Sequence, residues 1–169
     1  IALAARVKSG AGRLDLPALS AHDDGMAYRV SKKIEIDSAH LLSKHAGDCR
    51  FPHGHTRQIE VVLESDTLDA NDMVCDFARL KSVMSECVAC WDHAFCMNRD
   101  DPRFETLRHA FGERVAGFAG RDPTTEVMAE ELYKALSARL LELGQAVCLR
   151  RVRVWETSSC WAEFEPEAS

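Results

Sequence analysis

The sequence has no long hydrophobic run and no surplus of basic residues. No apolar stretch among its 169 residues approaches the about 20 residues that a helix needs to cross a bilayer, so a membrane protein is not expected. Its 21 lysines and arginines are outnumbered by 27 aspartates and glutamates, which argues against general nucleic-acid binding. A small anionic substrate is still compatible with this charge, because a bound cation and a few basic side chains can reverse the local field.

Paired cysteines and a secretion signal are also missing. The seven cysteines are odd in number and scattered, which argues against a disulfide framework and favours a reducing cytosol. The N-terminal stretch lacks the regions and the cleavage site of a signal peptide, so the sequence predicts a cytoplasmic protein. Residues 1–25 are rich in small residues without sustained periodicity. We interpret them as an N-terminal extension before a single domain over 26–169.

Two predicted strands carry three histidines on their apolar faces. Side chains alternate between the two faces of a strand, so residues two apart point the same way. The apolar series of the first strand ends in His40, and that of the second strand begins with His53 and His55. Three neutral imidazoles buried without partners would be costly, and a shared ion would relieve that cost. The pattern therefore favours a metal site over an incidental pair of histidines, and three histidines are a common ligand set for catalytic zinc.

A cysteine lies four residues before the second histidine. Cys49 belongs to the connection 41–52, which resembles an active-site loop more than a tight turn. A thiol held near a metal, but not bound to it, could act as a base or a nucleophile. The same thiol could instead be a fourth zinc ligand in a closed structural site. The residues alone leave both interpretations open.

The middle of the chain predicts helices. Asp76 is expected to cap a helix whose apolar stripe runs from Phe77 to Trp91. A short helix is expected within the polar segment 99–122. A second long helix is predicted to begin near Pro123, because proline is favoured in a first helical turn.

Two further strands are predicted at the end of the chain, around 148–156 and 160–164. Gly144 is expected to end the preceding helix. The resulting order is β-β-α-α-β-β, and helices that cover one face of an antiparallel sheet make an α+β fold. Glu156 lies beside valines on the first of these strands, which is unusual enough for a glutamate to favour a functional role.

Six short motifs follow one another through residues 28–164. They are Asp37-Ser38-Ala39-His40, Cys49-x-x-x-His53-Gly54-His55, Met73-Val74-Cys75-Asp76-Phe77-x-x-Leu80-Lys81, Asp92-His93-x-x-x-x-Asn98, Pro123-Thr124-Thr125-Glu126 and Glu156-Thr157. In this order they resemble the 6-pyruvoyl-tetrahydropterin synthase / 6-carboxytetrahydropterin synthase family. The resemblance implies the tunnelling fold (T-fold), with a four-stranded antiparallel sheet and two main helices on one face.

The resemblance also implies a role for each candidate residue. Zn²⁺ would be bound by three residues: His40, His53 and His55. Cys49 would be the catalytic thiolate, Asp92 and His93 would form a proton relay, and Glu156 would anchor the pterin ring. Family members are homo-oligomers, commonly hexamers, in which Asp92 and His93 of one chain could serve the zinc of a neighbour.

The implied substrate is a small molecule, 7,8-dihydroneopterin triphosphate. Three residues separate Cys49 from His53, which resembles the bacterial 6-carboxytetrahydropterin synthases of queuosine (7-deazaguanine) biosynthesis. This branch removes triphosphate, cleaves the side chain and releases acetaldehyde. The 6-pyruvoyl reaction is the alternative. Two further alternatives are a zinc-stabilised pterin-binding module without turnover and a relative of GTP cyclohydrolase.

Overall fold

The computed structural model describes residues 27–142 and 147–167 of the chain. The predicted extension over 1–25 and Gly144 lie outside these residues. Within them the chain forms six strands and three α-helices. In chain order these are β1 (Tyr28–His40), β2 (His53–Ser65), α1 (Phe77–Val88), β3 (Ala94–Asn98), α2 (Phe104–Phe111), β4 (Val115–Phe118), α3 (Thr125–Glu142), β5 (Cys148–Trp155) and β6 (Trp161–Phe164). None of the helices in the described part of the chain is long and apolar enough to span a membrane.

The predicted sheet of four antiparallel strands is too small. The structure has one mixed sheet in the order β4-β3-β1-β2-β5-β6. β3 runs parallel to β1 and β4 runs parallel to β3, whereas the other neighbours are antiparallel. β3 and β4 have only five and four residues, too few for the alternation that identifies a strand in sequence. The helix expected within 99–122 is confirmed as α2, which connects these two parallel strands.

The alternation predicted for β1 and β2 is confirmed. Ile59, Val61 and Leu63 of β2 are fully buried beneath α1 and α3, whereas Lys33 and Glu35 of β1 lie exposed on the opposite face. Burial of the apolar face against two helices is the main stabilising contribution of this layer. The sheet therefore has a covered face, which packs on α1 and α3, and an uncovered face, which is polar.

The N-terminus of α1 is as predicted, but its first apolar residue is not buried. The Asp76 carboxylate accepts a hydrogen bond of 2.7 Å from the backbone N–H of Ala78, which is the cap expected from sequence. Phe77, assigned to the apolar stripe, is exposed, because burial of the helix against the sheet begins one turn later at Leu80.

Candidate metal centre

The register of β1 and β2 brings the three histidines together. His40 pairs directly with His53, and Ser38 pairs with His55, so all three imidazoles lie at the same end of the covered face. Their potential ligand atoms lie within 4.8 Å of one another, and the Nε2 atoms of His40 and His53 are 3.0 Å apart. The three rings therefore converge on one point, as the strand alternation predicts.

Backbone carbonyls hold two of the rings through their other nitrogen. His40 Nδ1 is 2.9 Å from the carbonyl oxygen of Pro123, and His53 Nδ1 is 2.9 Å from that of Phe51. We assign the proton to Nδ1 in both rings, because an Nδ1–H donor satisfies the carbonyl and leaves Nε2 as a free acceptor. Orientation of a ligating histidine by a hydrogen bond from its second nitrogen is usual at metal sites.

The residues present fit a zinc ion. The Nε2 atom of His55 is buried and has no hydrogen-bond partner among the described residues, which is a costly state that a ligand would relieve. Burial lowers the pKa of His40 to about 4 and also lowers the pKa of His55. Both rings are therefore neutral near pH 7, which is the form that binds metal. Three imidazole nitrogens suit Zn²⁺, whose catalytic sites have three protein ligands.

Glu156 faces this cluster from the end of β5. Its Oε1 atom lies 3.4 Å from His40 Nε2, 3.6 Å from His55 Nε2 and 3.4 Å from Nη1 of Arg57. Burial acts to raise the pKa of Glu156, but the positive charge of Arg57 lowers it below its usual value. A carboxylate anion thus lies beside two of the three imidazoles.

Arg57 is a residue of the site to which the sequence interpretation gave no role. Its side chain is 0% exposed, and its Nε donates a hydrogen bond of 3.1 Å to Ser38 Oγ. Its Nη2 atom lies 3.2 Å from His40 Nδ1, a longer contact than the one from that ring to Pro123. The sequence could have pointed to Arg57 through its position in the strand alternation. It is a charged residue at an inward-facing position of β2, between His55 and Ile59.

Cys49 lies in a loop that is fastened to the site but does not join the ligand cluster. The loop contains a short 3₁₀ turn over Asp48–Arg50, and the carbonyl of Cys49 accepts a hydrogen bond of 2.8 Å from Leu42 N–H. The thiol is half-buried. Among the described residues, the converging ligand atoms are those of the three histidines alone, so the geometry gives no support to a closed site with Cys49 as fourth ligand.

Asp92 and His93 form the predicted pair, but they lie on the uncovered face of the sheet. His93 Nδ1 is 2.9 Å from Asp92 Oδ1, which also accepts a hydrogen bond of 3.1 Å from Asp37 N–H. His93 has a positive φ of 55°, and its N–H donates to the Asp37 carbonyl at 2.6 Å. The imidazole of His93 is 69% exposed, whereas the ring of His40 is buried on the other face.

A cavity of about 660 Å³ surrounds His93 on that face. Ala39, Gly54 and Thr56 line it, and these residues alternate with those that carry the inward-facing imidazoles. Ser38 and His55 also line it, so the cavity reaches the edge of the histidine cluster. Arg114 and Phe111, from the segment between β3 and β4, also line the cavity. Among the described residues, no hydrogen bond or ion pair joins the Asp92–His93 pair to the histidine cluster.

Comparison with known proteins decides the family. A sequence model described as 6-pyruvoyl tetrahydropterin synthase matches residues 29–167. The chain belongs to this family. It is 30% identical over 145 residues to the 6-carboxy-5,6,7,8-tetrahydropterin synthase of Haemophilus influenzae, a match that covers 82% of this chain and 99% of the relative. The synthase of the same name from Aquifex aeolicus is 28% identical over 162 residues, which cover 84% of this chain and 100% of the relative.

Superposition on solved structures supports the same family fold for this chain. An uncharacterized protein from Wolinella succinogenes superimposes with a TM-score of 0.71 at 26% identity, covering 85% of this chain and 100% of that chain. The 6-pyruvoyl tetrahydropterin synthase of Caenorhabditis elegans gives a TM-score of 0.62 at 20% identity and covers 85% of this chain and 98% of that chain, a likeness of fold alone. The predicted T-fold is confirmed at this level, with the six-stranded mixed sheet as the correction.

Proposed function

We propose that this protein converts 7,8-dihydroneopterin triphosphate into 6-carboxy-5,6,7,8-tetrahydropterin, with release of triphosphate and acetaldehyde, in 7-deazaguanine biosynthesis. The observation that carries the proposal is the convergence of His40, His53 and His55, with a buried, unpartnered Nε2 atom on His55. The two relatives described above, which have the carboxy name and cover most of the chain, favour this branch.

The three histidines would hold Zn²⁺ at the end of the covered face. Zinc bound there would supply Lewis acidity toward the side-chain hydroxyls of the pterin. The protein's own contribution is orientation: the carbonyls of Pro123 and Phe51 fix two rings before any ion arrives.

Cys49 would be the base that removes a proton from the substrate side chain. Ser43 Oγ and Lys44 N–H both donate to the Asp122 carboxylate, at 2.6 and 2.8 Å, so its loop has a fixed path over the site. A positioned base of this kind typically contributes about 10²–10⁴-fold to a rate. Glu156, held as an anion, would accept hydrogen bonds from the donor edge of the pterin ring.

Asp92 and His93 would act in the active site of a neighbouring chain. Asp92 accepts from Nδ1–H of His93 and thereby supports the protonated imidazole, leaving Nε2 for proton transfer. Their position on the uncovered face supports a homo-oligomer with shared sites, for which we propose a hexamer. The seven cysteines are all free, which supports our placement of the enzyme in the cytoplasm.

Product analysis tests the proposed reaction. Zinc-loaded protein incubated with 7,8-dihydroneopterin triphosphate should give the 6-carboxy product by mass spectrometry, with one trapped acetaldehyde for each product formed. Both products require cleavage of a carbon–carbon bond in the side chain. A 6-pyruvoyl product without acetaldehyde would assign the protein to the other branch of its family, the one named by the matching family model. No turnover of the triphosphate at all would contradict both reactions.

A further inference from the structure

The carboxylate of Glu156 lies at ligand-to-ligand distance from two of the three histidines. Its Oε1 atom is 3.4 Å from His40 Nε2 and 3.6 Å from His55 Nε2. Two ligands of one tetrahedral zinc ion are roughly 3.4 Å apart, because bonds of about 2.0–2.1 Å diverge at the tetrahedral angle. A fourth protein ligand would make a closed structural site, whereas the proposed chemistry needs an open position for the substrate.

Arg57 competes for the same oxygen. Its Nη1 atom is 3.4 Å from Oε1 of Glu156, and the whole side chain is 0% exposed. Ser38 Oγ accepts from its Nε, which fixes the guanidinium on the covered face of the sheet. In the described part of the chain, Glu156 is the one carboxylate within salt-bridge distance of Arg57. A buried guanidinium deprived of its counter-ion would be uncompensated, so the pair resists separation.

The sheet itself sets this pairing. Gln58 of β2 pairs with Trp155 of β5, so Arg57 and Glu156 continue the same ladder by one residue on each strand. The carboxylate is thus held by a cation on the neighbouring strand.

We propose that Arg57 is a positioning residue that keeps Glu156 off the metal and holds it as a hydrogen-bond acceptor for the substrate. Arg57 touches neither the ion nor the reacting atoms in this scheme. It acts by binding the oxygen that would otherwise close the site. The substrate part of this inference rests on the proposed function, but the competition between Arg57 and the metal for Glu156 does not.

Measurement of zinc affinity tests the competition for Glu156 independently of its role toward the substrate. The full-length protein is stripped of metal and titrated with Zn²⁺ against a chromophoric chelator at neutral pH. Arg57→Met should bind zinc at least roughly tenfold more tightly than the wild type, because Glu156 becomes free to bind the ion. Substitution of residues that contact metal ligands usually changes metal affinity by about 10–100-fold. The gain should vanish in the Arg57→Met/Glu156→Gln double variant, and Arg57→Lys, which keeps the charge, should stay near the wild type.

A single variant that retains Arg57 covers the case in which Arg57→Met does not fold. Glu156→Gln should change zinc affinity by less than about threefold, because the carboxylate of the wild type is already engaged by Arg57. A loss as large as that of a histidine variant would show that Glu156 is a ligand and would overturn the proposal. An Arg57→Met protein that is folded by circular dichroism but gains no affinity, or whose gain persists without Glu156, would overturn it equally. Failure to turn over the pterin would count only against the proposed function.

Discussion

His40 remains neutral at physiological pH because burial disfavours its charged form, which moves its pKa to about 4. The ring of His53 is held by the carbonyl of Phe51, in the connection between β1 and β2, whereas that of His40 is held by the carbonyl of Pro123, just before α3. These contacts orient the Nε2 atoms of His40 and His53 toward an ion. Removal of one imidazole should therefore cause loss of the metal. The proposed zinc centre is thus testable one residue at a time.

Replacement of His53 by alanine should remove zinc. The variant loses one of three nitrogen ligands, and removal of a direct ligand should cost more than the about 10–100-fold that loss of a supporting residue costs. Metal analysis after dialysis against a weak chelator measures the effect. His109→Ala, which removes an exposed histidine of α2, is the control and should keep its zinc. Equal zinc content in the two variants would contradict the assignment.

Cys49→Ala should keep zinc and the fold but lose most activity. Zinc should be kept because the thiol of Cys49 is not among the converging ligand atoms, although its loop connects the strands that carry them. Loss of a general base lowers kcat by about 10²–10⁴-fold. Rates and zinc content are measured together, with Cys90→Ala, an exposed thiol, as the matched control. If the Cys49 variant instead loses its metal, the closed His₃Cys site is the better description.

At the scale of elements, the alternation of β1 and β2 was enough to predict the histidine cluster, because a period of two is readable over 13 residues. The parallel pair β3 and β4 was missed because each strand is too short to show a period. The Arg57–Glu156 pair was missed for a different reason. It depends on the register between β2 and β5, and no local pattern connects residues 99 positions apart.

Asp122 connects three elements and should matter for stability. Its buried carboxylate accepts from Ser43, Lys44 and Asn98, which fastens the Cys49 loop and β3 to the start of α3. Asp122→Asn places an amide donor against donors and should reduce the free energy of unfolding by about 1–3 kcal/mol. Urea denaturation measures the loss. Asp48→Asn, at an exposed carboxylate of the same loop, should change it little.

Asp122 should also make the stability of the protein depend on pH. Burial acts to raise the pKa of Asp122, but the hydrogen bonds from Ser43, Lys44 and Asn98 lower it below its usual value. A carboxyl whose folded-state pKa is lowered contributes stability above its unfolded pKa and loses that contribution as the pH falls through the folded value. The difference between the wild type and Asp122→Asn should therefore be full above about pH 4 and shrink below it. A difference that is constant down to pH 2 would contradict the role of the ionised carboxylate.

At the scale of the whole molecule, the proposed relay pair lies on the face of the sheet opposite the ring of His40. His93 lines the cavity of about 660 Å³ on the uncovered face, and His40 is buried on the covered face. A shared active site reconciles this separation with the proposed chemistry, because a second copy can bring its own Asp92 and His93 to the first copy's zinc.

Mixed oligomers test the shared site. Cys49→Ala and His93→Ala chains, each inactive alone, are coexpressed with different tags and purified as hybrids. Random assembly should restore about a quarter of the wild-type activity, because half of the sites receive an intact Cys49 and half of those an intact His93 from the neighbour. Activity that stays at the level of the separate variants would place all catalytic groups within one chain.

The most direct measurement of the central claim is a zinc titration of the metal-free protein, with turnover of 7,8-dihydroneopterin triphosphate followed at each addition. Turnover should be absent without metal and rise linearly to a break at one zinc per chain, since one cluster of three histidines holds one ion. Full turnover before zinc is added, or zinc bound at one per chain without turnover, would contradict a catalytic zinc centre built from His40, His53 and His55.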